Sequence, residues 1–214
     1  LCKLLLAGLL KPSYIPPKEQ RELRDLTRYR KKLIQQVASN KNRVIRVLED
    51  CNVKLSSVLS STSGVTATKL INKLCEGQTV TMEDIDEVYH KRIEASKQDL
   101  WEACNGLVEA HHVFLLRTIQ EDTRHLEGLI AKLDQKIRQA LEPYDNAVEL
   151  LKGIPGLSDK SAEDLIAEIG LDMDVFPDEK HLCSWVGVSP GNNESAGKKK
   201  AVEPRTAINR PSQP

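Results

Sequence analysis

The sequence predicts a mostly α-helical protein, built on long antiparallel coiled-coil helices and followed by a small helix-hairpin-helix-like module. Three observations carry this. Aromatic residues are 4% and charged residues 29% of the 214-residue chain, too few large rings and too many charges for a sandwich or barrel. Two long stretches repeat apolar residues by threes and fours, from Leu23 to Cys51 and from about Leu107 to Leu141. Prolines stand in connectors or at helix ends, as Pro12, Pro16, Pro17 and Pro143 do.

The opening "LCKLLLAGLL" is apolar but shorter than the roughly 20 residues a bilayer span needs, and it lacks the small-residue cleavage site of a signal peptide. It begins with Leu and reads as the tail of a helix, so residues 1–17 are expected to be a connector left from a preceding domain. After Pro17 a helix starts, with Glu19 and Glu22 in its first turns, where the helix dipole favours anions. Heptad positions place Leu23, Leu26, Arg30, Leu33, Val37, Asn40, Val44, Val47 and Cys51 on one seam. Such a seam implies a coiled coil and, through it, a homo-oligomer or an antiparallel pair.

Residues 18–145 form this coiled-coil region, with an insertion of short helices at about 56–100 punctuated by Ser63-Gly64 and Gly77. Thr81 followed by Asp84 has the spacing of a capping box. The second long helix carries Leu116, Ile119, Leu126, Ile130, Leu133, Ile137 and Ala140 inward and ends at Pro143.

From 146 to 200 the pattern changes. "AVELLKGIPGLSDKSAEDLIAEIG" reads as helix, glycine hairpin, helix, with Gly153 expected to end the first helix in the left-handed conformation and Ser158 or Asp159 to cap the second. Phe176, Leu182, Trp185 and Val186 offer a small core. Residues 201–214 have no apolar period and three prolines, and are expected to be disordered or out of frame with the rest.

Net charge is zero, yet between Lys18 and Arg46 ten basic residues face three acids. This arm, with Arg21, Arg24, Arg28, Arg30, Lys31 and Lys32 as its chosen contacts, points to nucleic-acid phosphate; a solvated coiled-coil face is the competing reading. In the hairpin, Gly153, Gly156, Ser158 and Lys160 bring backbone N–H groups and charge to where a phosphate could sit, or serve only the geometry of a corner. Five cysteines, odd in number and far apart, make neither a disulfide framework nor a zinc site and fit a reducing compartment. His111 and His112 lack an acidic or thiol partner at ligand spacing and should face different ways, one buried and one exposed, so no metal is expected there.

Ser195 in "GNNESAGKKK" has no Ser-His-Asp partners, since His181 lies beyond a tryptophan-containing segment. By residue chemistry alone it is a loop serine. Gly191, Gly197 and Lys198, Lys199 and Lys200 argue otherwise, because flexible backbone and positive charge are what a serine attacking a phosphodiester requires.

Taken together, "LLLAGLLKPSYIPP", "ELRDLTRYRKKLIQ", "NVKLSSV", "HHVFLL", "IPGLSDKSAEDLIAEIG" and "FPDEKHLCSWVGVSPGNNESAGKKK" resemble the IS-one-ten (DEDD) family of bacterial insertion-sequence transposases, from Leu1 to Lys200. The resemblance implies a RuvC-like N-terminal domain holding Mg2+ on four acidic residues, a coiled coil, and a transposase domain whose serine, matched by Ser195, links covalently to DNA under the direction of a noncoding guide RNA. None of the four acidic residues falls within this sequence, so no cofactor is expected in this chain. The expectation is therefore a DNA-binding recombinase fragment of the bacterial cytoplasm and nucleoid, inactive alone, with its frame shifted near Lys200. The alternative is a non-catalytic nucleic-acid-binding and oligomerisation module; a helical scaffold with no nucleic-acid role is a third.

Overall fold

A computed structural model describes residues 2–9, 14–62 and 64–186, and the backbone of 194–195 and 198–199. The fold is mostly α, as expected. Its helices are α1 (Cys2–Leu6), α2 (Lys18–Asp50), α3 (Leu55–Val58), α4 (Val65–Cys75), α5 (Met82–Val88), α6 (Lys97–Cys104), α7 (Ala110–Leu141), α8 (Asp145–Lys152), α9 (Asp159–Ile169) and α10 (Glu179–Val186). A 3-10 turn at Glu142–Tyr144 carries Pro143 and joins α7 to α8. The two-residue strands β1 (Glu194–Ser195) and β2 (Lys198–Lys199) pair antiparallel.

The chain divides into two compact units. The division falls inside α2 and α7: one unit holds residues 31–132, the other residues 1–30 and 133–214.

In the unit of residues 31–132, α2 runs antiparallel to α7. Asn40 meets Asp122 and Thr123, and further along α2 Asp50 meets His112, earlier on α7. The short helices α3 to α6 fold around the same core, where Leu48, Val53, Leu55, Leu70, Ile85, Leu100 and Leu116 are all buried. Each aliphatic side chain so buried contributes about 2 kcal/mol. Gly106 lets two turns close on each other. A Cβ there would stand 2.3 Å from the Cys51 carbonyl oxygen, while Leu107 N–H donates to that same oxygen and Lys54 N–H to Ala103. Thr81 and Asp84 form the expected capping box on α5, and Ser96 and Asp99 repeat it on α6. The Asp84 carboxyl is held down at about 2, first by Lys73 and then by the Thr81 N–H.

In the unit of residues 1–30 and 133–214, Leu23 of α2 packs with Ile137 and Leu141 of α7 and with Ile166 and Ala167 of α9. Every seam position expected from Leu23 to Cys51 is buried or half-buried. Leu23 and Leu26 meet α7 and α9, whereas Val44, Val47 and Cys51 belong to the core that α3 to α6 build in the other unit.

Candidate nucleic-acid interface

Three arginines of α2 are turned inward. Glu168, near the C-terminal end of α9, receives Arg28 side-on, Nε to Oε1 at 2.8 Å and Nη2 to Oε2 at 2.9 Å. Arg24 lies 3.2 Å from the same carboxylate and donates to the backbone carbonyls of Ala167 and Glu168. Those carbonyls are among the orphan acceptors at the end of α9, the negative end of its dipole, so a guanidinium is the natural cap. Gln20 and the Trp185 indole N–H complete it, donating to Ala167 and Glu168 respectively. The Arg28 guanidinium is pushed above its usual range by the bond to Glu168, whereas burial lowers that of Arg24.

Arg30 is 2% exposed and answers three carboxylates: Asp134 at 3.1 Å, Glu163 at 2.5 Å and Asp164 at 2.7 Å. Burial works against its charge, and the bonds to Glu163 and Asp164 outweigh it. Lys160 joins the network through Asp134. The expected phosphate-facing arm is therefore split. Arg24, Arg28 and Arg30 bind protein acids and carbonyls, because α9 brings Glu163, Asp164 and Glu168 onto them, which no local pattern in α2 reveals. Arg21 and Lys32 stay exposed, and Lys31 half-exposed, with no ion pair among the described residues.

In the hairpin, Gly153 has φ −65°, ordinary right-handed helix, and the left-handed residue is Gly156 at φ +88°. The expected cap at Gly153 is thus corrected: α8 ends in a turn, its last carbonyls taken by the Gly153 and Ile154 N–H groups, and the reversal of direction falls at Gly156. A Cβ at Gly156 would meet nothing within 4 Å, so its surroundings are open. Ser158 caps α9, accepting from Ser161 N–H at 3.2 Å. Lys152 pairs with Glu149 and Asp159.

The Phe176, Leu182, Trp185 and Val186 group is half-buried, without a fully enclosed core. Trp185 stands edge-on to Tyr14 and Phe176 and under the Arg24 guanidinium, 5.8 Å from the ring centre. Ser195 lies on β1, its backbone paired with Lys198, and Glu194 with Lys199. Gly191, Gly197 and Lys200 lie outside the described residues.

At the histidine pair, His112 is buried and His111 exposed, but an acid does approach. Asp50 arrives from α2, and the two rings lie 3.7 Å apart instead of diverging. His112 Nδ1 accepts from Glu109 N–H at 3.1 Å, standing where a capping box places its glutamate, so Nε2 carries the proton toward Asp50. A nitrogen so protonated cannot ligate a metal. The Mg2+ implied by the resemblance fits no better. It calls for converging oxygens, whereas among the described residues the carboxylates of the first two helices are dispersed, Glu22 pairing with Lys18 and Asp50 with His112. Burial lifts the thiols of Cys75 and Cys104 to about 11 and about 12, which keeps both protonated and inert at neutral pH. Among the described residues no helix is long and apolar enough to cross a membrane.

Comparison with known families gives two matches. Residues 148–211 match the model described as the transposase IS116/IS110/IS902 family, and residues 1–53 match a DEDD transposase model of the IS110 type. The first runs past Lys200, where the resemblance was expected to stop. No curated protein and no solved structure matches.

Proposed function

Because the chain belongs to the IS116/IS110/IS902 transposase family, we propose that it binds DNA and that Ser195 is the nucleophile of strand cleavage and transfer. The reading rests on one observation above the others: within the matched segment, the backbone pairing of β1 and β2 sets Ser195 across from Lys198 at the head of a lysine run. In the proposed step the serine Oγ bonds to phosphorus as the P–O bond to the sugar breaks; the departing sugar oxygen takes that bond's electron pair, and the proton that the serine gives up passes through water to this oxygen. Lys198, Lys199 and Lys200 would offset the charge that builds on the phosphate oxygens. Arg21, Lys31 and Lys32, and the hairpin at Gly153, Gly156, Ser158 and Lys160, are proposed to hold the phosphate backbone without reading sequence.

Incubation of the chain with a nicked, labelled DNA duplex tests this. Complete strand transfer is not expected from this chain alone; the product expected of the serine step is a protein–DNA adduct that survives denaturing electrophoresis and disappears in Ser195→Ala. A second reading, a nucleic-acid-binding module without chemistry, is favoured by the ion pairing of the acids described above. Its signature is salt-dependent binding by both proteins with an adduct from neither.

A further inference from the structure

We infer that the outer face of α2 between Lys32 and Arg46 lies across the major groove of B-form DNA. This rests on the proposal that the protein binds DNA, but apart from Lys32 it concerns residues that proposal does not use. Lys32, Gln35, Ser39, Asn42 and Arg46 follow one another at steps of three and four, with Arg43 beside Asn42, so they form one stripe. All six are exposed, and the opposite face, with Leu33, Val37, Asn40 and Leu48, is buried. No acid occurs on α2 between Asp25 and Glu49, and no ion pair reaches Lys32, Arg43 or Arg46 among the described residues. Arg43 makes one hydrogen bond, to Asn40 Oδ1 at 2.8 Å, which leaves most of its fork of donors free.

The order of residue types along the stripe matters as much as the charge. A merely solvated helix face mixes signs, and this one has cations at both ends with amide and hydroxyl groups between. At about 1.5 Å of rise per residue, Lys32 lies about 16 Å from Arg43 and about 21 Å from Arg46. The major groove of B-DNA is about 12 Å wide and admits a helix. With the helix crossing it, the terminal cations fall on the two flanking phosphate strands, and Gln35, Ser39 and Asn42 come to the base edges. Gln and Asn there pair with the N6 and N7 edge of adenine. The major groove of an RNA duplex is too deep and narrow for such an approach. The face therefore fits DNA.

The test is fluorescence anisotropy of the whole chain with a mixed-sequence DNA duplex and the RNA duplex of the same sequence, from about 50 to 200 mM salt. Replacing Lys32, Arg43 and Arg46 together by Gln is expected to weaken DNA binding at least about tenfold and to lower the slope of log K against log salt by about two to three. The urea midpoint should stay put, since all three side chains are exposed. The pair Gln35→Ala and Asn42→Ala is expected to keep the slope and flatten base preference in a selection from randomised duplexes. The inference is overturned if the triple variant binds DNA like the parent, if the double variant keeps the parent's preference, or if RNA duplex binds as tightly as DNA. Parent-like DNA affinity of the triple variant together with a Ser195-dependent adduct would sink this inference alone. Absence of DNA binding by the parent would sink both.

Discussion

Arg28 and Glu168 meet as a two-point pair, 140 residues apart in sequence and 2.8 and 2.9 Å apart through their paired atoms. Arg24 shares the carboxylate with an 11% exposed side chain, so loss of Glu168 strands a nearly buried cation as well as an exposed one. Glu168→Ala is expected to lower unfolding free energy by about 3 kcal/mol, at the low end for buried pairs because Arg28 is partly screened by water. Urea unfolding followed by circular dichroism measures this. A midpoint equal to the parent's would mean the arginines do not hold α9.

Two glycines should respond in opposite directions. Gly106→Ala forces a methyl against the Cys51 carbonyl and the Val53 side chain, at an expected cost of about 2–3 kcal/mol. Gly128, in the middle of α7, has nothing within 4 Å of an added Cβ, and Gly128→Ala should stabilise by about 0.5–1 kcal/mol. Thermal melts of both variants check the pair, and equal shifts would contradict the close approach at Gly106.

Asp84 gives stability a defined pH dependence. Its carboxyl is depressed from an ordinary 3.8 to about 2 by Lys73 and the Thr81 N–H. A depressed acid contributes fully above its unfolded pKa and loses that contribution as pH falls through its folded one. The urea midpoint should therefore decline between about pH 4 and pH 2. Asp84→Asn should start lower at neutral pH and decline less across that window; parallel profiles would exclude Asp84 as the cause.

The helical periods were legible because each is local. The seam from Leu23 to Cys51 and the inward face from Leu116 to Ala140 are properties of single helices, and both are inward in the structure. The Thr81 cap needed only a three-residue spacing. What the sequence concealed depends on partners remote along the chain. Arg30 looks like its neighbour Lys31 until Asp134, Glu163 and Asp164 surround it. Asp50 reaches His112 only because α2 and α7 run antiparallel. Two seam positions did carry a warning: Arg30 and Asn40 are polar residues in an apolar stripe, and both are buried against acids of the opposite helix, Asp134 and Asp122. Gly156 was singled out for the right hairpin, but the turn's left-handed residue cannot be told from Gly153 by composition.

Basic residues two positions apart on one helix do different work: Arg30 holds three carboxylates of the protein together, and Lys32 is proposed to face DNA. The most direct measurement sets Arg30→Ala beside Lys32→Ala, with the urea midpoint and DNA affinity read on the same preparations. Arg30→Ala should lose about 3–5 kcal/mol of stability by removing the buried cation that the half-buried carboxylates of Asp134, Glu163 and Asp164 share. Lys32→Ala should stay within about 0.5 kcal/mol of the parent and lower the salt slope by about one. If Arg30→Ala keeps its stability and the two variants lose DNA affinity alike, the arm is one undivided cationic face and the account is wrong.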